Sequence, residues 1–319
     1  MIPYTLVQND PDLAALVARL REEKITRVAI DVEGENNLHS YGIHVALIQL
    51  FDGKRGAIVD VLSLRDRALL RQLVENAPWV LVWFDAANDL LSFQHALAIR
   101  PSPIRDLAIA ARLLGRPGGL HAMTGQPGSA SAKDRFQKAN WMRRPLPRAL
   151  LDYAISDVTH LLELDDSFDA QLREKGLLAE FQTRNLAAQA AERTWDPLSN
   201  YVRIPGYSRL PRDGQRFAKV LWYARELYGR QHDLPPGNVA SKQDMRAIID
   251  RKLREPEGIV RFLNEKRRRN LVDERDFGER LAEARSMAGA ETGPVGEPSP
   301  ARPGGEVSRR GDRRSRGGR

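Results

Sequence analysis

The chain has no cysteine among its 319 residues. That excludes disulfides, thiolate metal sites and cysteine nucleophiles, and it fits a reducing compartment. No apolar run approaches membrane-spanning length, and the start, Met1-Ile-Pro-Tyr-Thr-Leu-Val7, has neither a basic n-region nor an apolar h-region. A cytoplasmic protein without a membrane partner is expected. No internal repeat is found. What is present in excess is positive charge: 50 Lys and Arg against 42 Asp and Glu give a net charge of +8. A polyanion, nucleic acid first, is the partner this balance favours, although part of the excess lies in the tail. The length is ample for two domains.

The most informative stretch is Arg27-Val-Ala-Ile-Asp-Val-Glu33. It reads as a strand. Val28, Ile30 and Val32 share one face, while Ala29, Asp31 and Glu33 share the other. Two acids side by side on a sheet are costly unless something cationic sits there. Taken alone, a solvated acidic edge explains them as well.

Around this strand the pattern is α/β. Tyr4 to Val7 forms a short edge strand, and Asp10 with Pro11 opens a helix as N-cap and N1. A polar loop, residues 34–42, follows the acidic strand. Val45 to Phe51 and Gly56 to Val61 form a hairpin through Asp52-Gly-Lys-Arg55. Leu64 to Glu75 is helical. Pro78 to Phe84 is a buried strand, after which Asp85 or Asn88 opens a helix, and a further helix ends near Gly115. A sheet with one antiparallel strand is expected. Residues 116–131 read as an irregular loop, Pro147 to Leu172 as one long helix, and Lys175 to Arg193 as another. Residues 196–211 have linker composition, residues 212–284 are helical, and the Gly-, Pro-, Ser- and Arg-rich end reads as disordered.

Two more acidic positions complete the pattern. Asp89 lies in the first helical turn after a central strand, the end of a strand where ligands bind in open sheets. Tyr153 and Asp157 are four apart and share one helix face. Alone, Asp89 is an ordinary helix-start acid and the Tyr–Asp pair is ordinarily structural. Together these acids can converge into an all-oxygen pocket suited to hard cations such as Mg2+ or Mn2+. A pair of such ions about 3.5–4 Å apart is the usual device for phosphodiester hydrolysis.

Asp31-x-Glu33, Asp89 and Tyr153-x3-Asp157, in that order, resemble the tyrosine-bearing DEDD 3′–5′ exonucleases. Leu47-Ile-Gln-Leu50, Arg135-Phe-Gln-Lys-Ala-Asn-Trp141 and Arg143-Arg-Pro-Leu146 are similar to ribonuclease D. Residues 212 to about 284, with Asp233-Leu-Pro-Pro-Gly237, resemble the helicase-and-RNase-D C-terminal (HRDC) domain. The resemblance covers roughly residues 4–285. It implies an α/β, ribonuclease H-like mixed sheet flanked by helices and followed by a small all-α domain. The implied boundaries are 1–195 for the exonuclease domain, 196–211 for a linker, 212–286 for the HRDC-like domain and 287–319 for a basic tail. Asp31, Glu33, Asp89 and Asp157 are implied ligands of two divalent cations, Mg2+ or Mn2+. Tyr153 is implied to orient or deprotonate the attacking water, orienting being the smaller claim for a group whose free pKa is about 10. The expected activity is release of nucleoside 5′-monophosphates from the free 3′ end of RNA, in processing or turnover of tRNA or other RNA.

Substrate contacts are expected from His39 and Tyr41, where a terminal sugar or base could stack, with sheet-edge packing the even alternative for Tyr41. Arg135, Lys138, Arg143 and Arg144 form a basic stretch suited to phosphates, and the interleaved Trp141 is expected in the core. His160 is expected to be structural, and Lys266-Arg-Arg-Arg269 either binds RNA or is a solvated helix face. Single-stranded DNA or very short RNA is an alternative substrate. A silent nucleic-acid-binding scaffold is an alternative of another class, and its signature, loss of a metal ligand or the tyrosine, is missing. Removing residues 212–319 is expected to weaken binding of structured RNA more than cleavage of a short oligonucleotide. Phe84-Asp85 stands where the family usually has His-Gly and adds a carboxylate near the pocket. The loop between Gly115 and Lys133 looks shorter and more glycine-rich than is usual in that family.

Overall fold

The alternation around Asp31 is realised in a sheet covered on both faces. A computed structural model describes residues 3–116, 118–124, 136, 138–267 and 271–290. Among them six strands are ordered β1-β4-β3-β2-β5-β6: β1 Tyr4–Val7, β2 Arg27–Asn36, β3 Ile43–Phe51, β4 Gly56–Asp60, β5 Val80–Trp83 and β6 Ile104–Asp106. Only β3 runs antiparallel to its neighbours; the pairs β1–β4, β2–β5 and β5–β6 are parallel. This is the mixed sheet with one antiparallel strand that the hairpin and the following strand–helix alternation predict.

Each face of β2 buries different partners. Val28 and Ile30 pack with Leu13, Leu16, Val17 and Leu20 of α1 (Asp10–Glu22) and Leu70 and Leu73 of α2 (Arg67–Val74). The next two helices are α3 (Ala87–Ser92) and α4 (Leu107–Leu113), and α5 is Leu120–Thr124. Beyond them are α6 (Arg148–Ser156), α7 (Leu161–Glu174) and α8 (Leu178–Ala190). On the other face Ala29 joins Leu47, Phe51 and Val82 against Leu107 of α4, Ala154 and Ile155 of α6, and Phe168 of α7. The acids of β2 therefore point to the side covered by α6.

Four expectations shift on folding. β2 does not stop at Glu33: a bulge between Glu33 and Gly34 lets it continue to Asn36 opposite β3. A Cβ on Gly34 would lie 2.1 Å from the backbone oxygen of His44, so only glycine allows this approach. Gly34→Ala is expected to cost about 3 kcal/mol or more, the upper range of overpacking, read as a fall in the denaturant midpoint. The 147–172 helix is broken into α6 and α7, because Ser156 Oγ donates to the Tyr153 carbonyl at 2.6 Å and Thr159 Oγ1 to the Ser156 carbonyl at 3.0 Å. At the start of α1 the cap is Asn9, which accepts from Asp12 N, while the Asp10 carboxylate accepts from the backbone of Arg65 and Asp66. Neither Asp85 nor Asn88 caps α3 with its side chain; the N-cap position is Ala86.

The C-terminal helices are α9 (Arg212–Gln231), α10 (Pro236–Val239), α11 (Lys242–Asp250), α12 (Pro256–Arg267) and α13 (Glu274–Ala290). They enclose a second apolar core built around Phe217, Leu221, Trp222, Ile248, Phe277 and Leu281. No helix among the described residues is long and apolar enough to cross a membrane. The tail beyond residue 290 lies outside the described residues, as do residues 268 and 269 of the Lys266–Arg269 run.

Candidate active site

Asp31 and Glu33 sit two apart on β2, so the pleat puts both on the face beneath α6. The end of α6 brings Asp157 to them. Carboxylate oxygens of Asp31, Glu33 and Asp157 lie within 4.8 Å of one another. Asp89 enters from the first turn of α3, near enough that its charge raises the pKa of Glu33 and feels that of Asp31. The four acids that sequence order singles out are thus brought together from three elements.

Their ionisation is opposed by the fold. Burial, and then the charge of Asp157, push Asp31 up to about 7. Burial, and then Asp31, Asp157 and Asp89, push Glu33 up to about 9. Asp89 is raised by burial and then by the charge of Asp31. Such a set is stable as carboxylates only with a cation among them. The donors are all oxygen, which fits Mg2+ or Mn2+ rather than a soft metal. Gln49, opposite Asp31 in register and fully buried, has an amide without a hydrogen-bond partner. An orphaned amide beside the acids marks a site completed by atoms the polypeptide does not supply.

Tyr153 is held by its neighbours. Its ring stacks on Phe136 with centroids 4.8 Å apart and on Trp141 at 6.5 Å. Burial, followed by the charges of Asp157 and Glu33, raises the pKa of its hydroxyl. Trp141 is 1 % exposed and belongs to the core, as expected. Phe136 and Trp141 act on the site by clamping this ring.

The substrate positions fare differently. Tyr41 is 8 % exposed. Its hydroxyl donates to Glu226 at 3.3 Å, its backbone N–H to Asp233 at 3.0 Å, and its ring packs edge-on against Trp195. It is a junction between the sheet and the C-terminal helices, not a stacking platform. Arg144 corrects a second expectation. Its guanidinium grips Asp60 through two bonds of 2.6 and 2.7 Å and donates to the Trp141 carbonyl, so it braces the loop before α6 and does not meet phosphate. Arg143 and Lys138 are exposed. Arg135 lies outside the described residues. His39 is partly exposed on the 37–42 loop, its Nδ1 3.1 Å from the Glu35 carboxylate. His160 lies on the surface 3.9 Å from Glu163.

Several supporting groups escaped sequence reasoning. The buried Glu35 carboxylate accepts the backbone N–H groups of Leu38 and His39, closing the loop after the acidic strand. The only hint was its place two residues beyond Glu33. Asp106 accepts the N–H groups of Asp85 and Ala86 and so caps α3 from a neighbouring strand. Asp85 itself has φ +65°. A glycine is at ease there, and aspartate is among the few other residues that tolerate it. The Phe84-Asp85 departure thus occupies a backbone position made for glycine.

A carboxylate cage on a central strand of a mixed sheet, with a clamped tyrosine beside it, defines a class: metal-dependent phosphodiester hydrolases. Residues 4–173 match the 3′–5′ exonuclease family. Ribonuclease D of Zymomonas mobilis is 30% identical over 297 residues, covering 88% of this chain and 72% of that protein. Ribonuclease D of a Shewanella species is 29% identical over 252 residues, covering 77% of this chain but 63% of its own length. The crystal structure of Escherichia coli RNase D, described as an exoribonuclease involved in structured RNA processing, superposes with a TM-score of 0.69 at 22% identity. That match covers 90% of this chain and 76% of the E. coli chain, and establishes a shared fold. The chain belongs to the 3′–5′ exonuclease family, among the ribonuclease D proteins.

Proposed function

We propose that the protein removes nucleoside 5′-monophosphates one at a time from the 3′ end of RNA, as its ribonuclease D relatives' name suggests. The observation that carries this reading is the meeting of Asp31, Glu33 and Asp157 oxygens within 4.8 Å, with Tyr153 near enough to feel the charges of Asp157 and Glu33. Asp31, Glu33, Asp89 and Asp157 would hold two divalent cations, Mg2+ or Mn2+. Such ions, when bound, activate a water and stabilise charge on the scissile phosphate. Burial, and then Asp157 and Glu33, raise the Tyr153 pKa, and its hydroxyl is placed to orient the attacking water. The stacked rings of Phe136 and Trp141 limit the positions that hydroxyl can take.

The division at residues 195 and 211, and the kinship of residues 212–286 with an HRDC domain, belong to the same reading. The separate apolar core of the C-terminal helices supports a second unit, and Ile204 and Leu210 within it attach part of the expected linker to that unit. The test is a 5′-labelled RNA incubated with Mg2+, Mn2+ or EDTA. A one-nucleotide ladder from the 3′ end that EDTA abolishes is expected, and cleavage indifferent to EDTA would end the proposal. Tyr153→Phe should lower kcat by about 10²-fold, at the low end of what one positioned proton-handling group contributes, with KM little altered. An unchanged kcat would remove Tyr153 from the chemistry.

A further inference from the structure

Gln49 lies in β3 with no exposed surface, and neither its amide nitrogen nor its amide oxygen has a hydrogen-bond partner among the described residues. Its neighbours on the same face of the strand, Leu47 and Phe51, belong to the apolar core under α6. So does Ile58, which stands opposite it on β4. The polar side chains nearest to it on that face of the sheet are acids. Asp60, diagonal to it on β4, already accepts from Arg144 through both carboxylate oxygens. Asp31 stands directly opposite on β2, and Glu33 stands diagonally. Directly opposed Cβ atoms lie about 4.5–5.5 Å apart and diagonal ones about 7–8 Å. A glutamine amide nitrogen is three bonds beyond Cβ and spans the shorter gap, to Asp31. A buried amide in apolar surroundings is costly unless its N–H groups are received.

We infer that Gln49 is a positioning residue of the metal centre: its amide donates to one oxygen of Asp31 and holds the other toward the cation. The inference rests on the metal-dependent reading of the four acids and adds a fifth side chain to it. A ligating carboxylate is itself hydrogen-bonded, and loss of such a partner typically costs about 10–100-fold in metal affinity. The chemistry of the amide suits the place. It supplies two N–H donors to an acceptor-only carboxylate. Being neutral, it neither adds to the crowding of the acids nor competes with a cation for them, as a lysine would.

Titration of Mn2+ into the full chain by calorimetry, beside thermal melts in EDTA, tests this with Gln49→Met, which keeps the length of the side chain and removes its polarity. Mn2+ should bind this variant about 10–100-fold more weakly than the parent. Its melting temperature in EDTA should equal or exceed that of the parent, because no unpaired amide is then buried. A packing role cannot give this pair of results, since lost packing lowers the melting temperature. Gln49→Leu repeats the test with a second apolar side chain. On the Asp31→Asn background, Gln49→Met should weaken Mn2+ by no more than about twofold, because two residues that act through one contact are not additive. Parental Mn2+ affinity in either single variant overturns the inference. So does a lowered melting temperature in EDTA for both of them, or a full loss of affinity on the Asp31→Asn background. A parent protein that takes up no Mn2+ is a different failure, that of the metal reading itself.

Discussion

Asp31→Asn is expected to lose roughly 10³-fold or more of 3′-end hydrolysis, as loss of a group that acts within a catalytic unit does, and yet to melt at a higher temperature than the parent in EDTA at pH 8. Both effects come from the same crowding. In the metal-free protein Asp31 is held up to about 7 and Glu33 up to about 9, by burial first and by the other acids second. A carboxyl whose folded pKa lies above its unfolded value does no harm below pH 4, where both states are protonated. As pH rises from about 4 to about 7 the unfolded chain has released the Asp31 proton while the folded chain still holds it among like charges. Stability is lost across that window. Asparagine keeps the shape and removes the charge, so the loss shrinks. Asp157→Asn should behave similarly, since Asp157 is the largest charge acting on Asp31. Adding Mg2+ or Mn2+ should raise the melting temperature of the parent more than that of either variant. Thermal melts from pH 4 to 8, with EDTA and with metal, read the whole set. Near-normal, EDTA-sensitive cleavage by Asp31→Asn would refute the metal assignment.

Removal of residues 212–319 should impair even the shortest substrate, by tenfold or more in kcat/KM, an estimate at the scale of a misplaced site. The resemblance to an HRDC domain leads to a loss on structured RNA that exceeds the loss on a short oligonucleotide; the contacts of the loop after the acidic strand add a loss on short substrates too. The loop that follows the acidic strand is tied to α9 and the turn after it: Tyr41 to Glu226 and Asp233, with Gly229 so close that an added Cβ would lie 3.2 Å from the Tyr41 ring. Trp222 Nε1 also donates to the Pro197 carbonyl at 2.7 Å. Cutting at residue 211 strips cover from Tyr41, whose burial alone is worth about 1.5–3 kcal/mol, as for other large apolar side chains. It also frees the loop beside Glu33. A milder variant separates folding from function. Glu226→Ala leaves Arg225 buried without its partner, a cost of about 3–5 kcal/mol. Tyr41→Phe deletes one hydroxyl contact worth about 1 kcal/mol. If both the truncated and the Glu226→Ala proteins cleave a trinucleotide at the parental rate, the helical region is an accessory and the Tyr41 junction is incidental to catalysis.

Sequence alone determined the strand with its two faces, the hairpin and a sheet with one antiparallel strand, and it singled out Asp31, Glu33, Asp89, Tyr153 and Asp157 as candidates. These are local matters: period two along β2, four-residue spacing between Tyr153 and Asp157, and an order of acids that resembles a known family. Helix ends were less legible, because Asn9 outcompetes Asp10 as a cap and Ser156 and Thr159 break a helix through their own hydroxyls. Tertiary structure alone decided which basic and aromatic residues face substrate. Arg144 and Arg143 are neighbours of one type, yet Arg144 is spent on Asp60, which is 84 residues away in sequence. Tyr41 follows the first motif as a stacking ring would, yet it is buried by a helix whose Glu226 lies 185 residues further on. A side chain's partner at such separations is set by how elements pack, and no spacing along the chain encodes it.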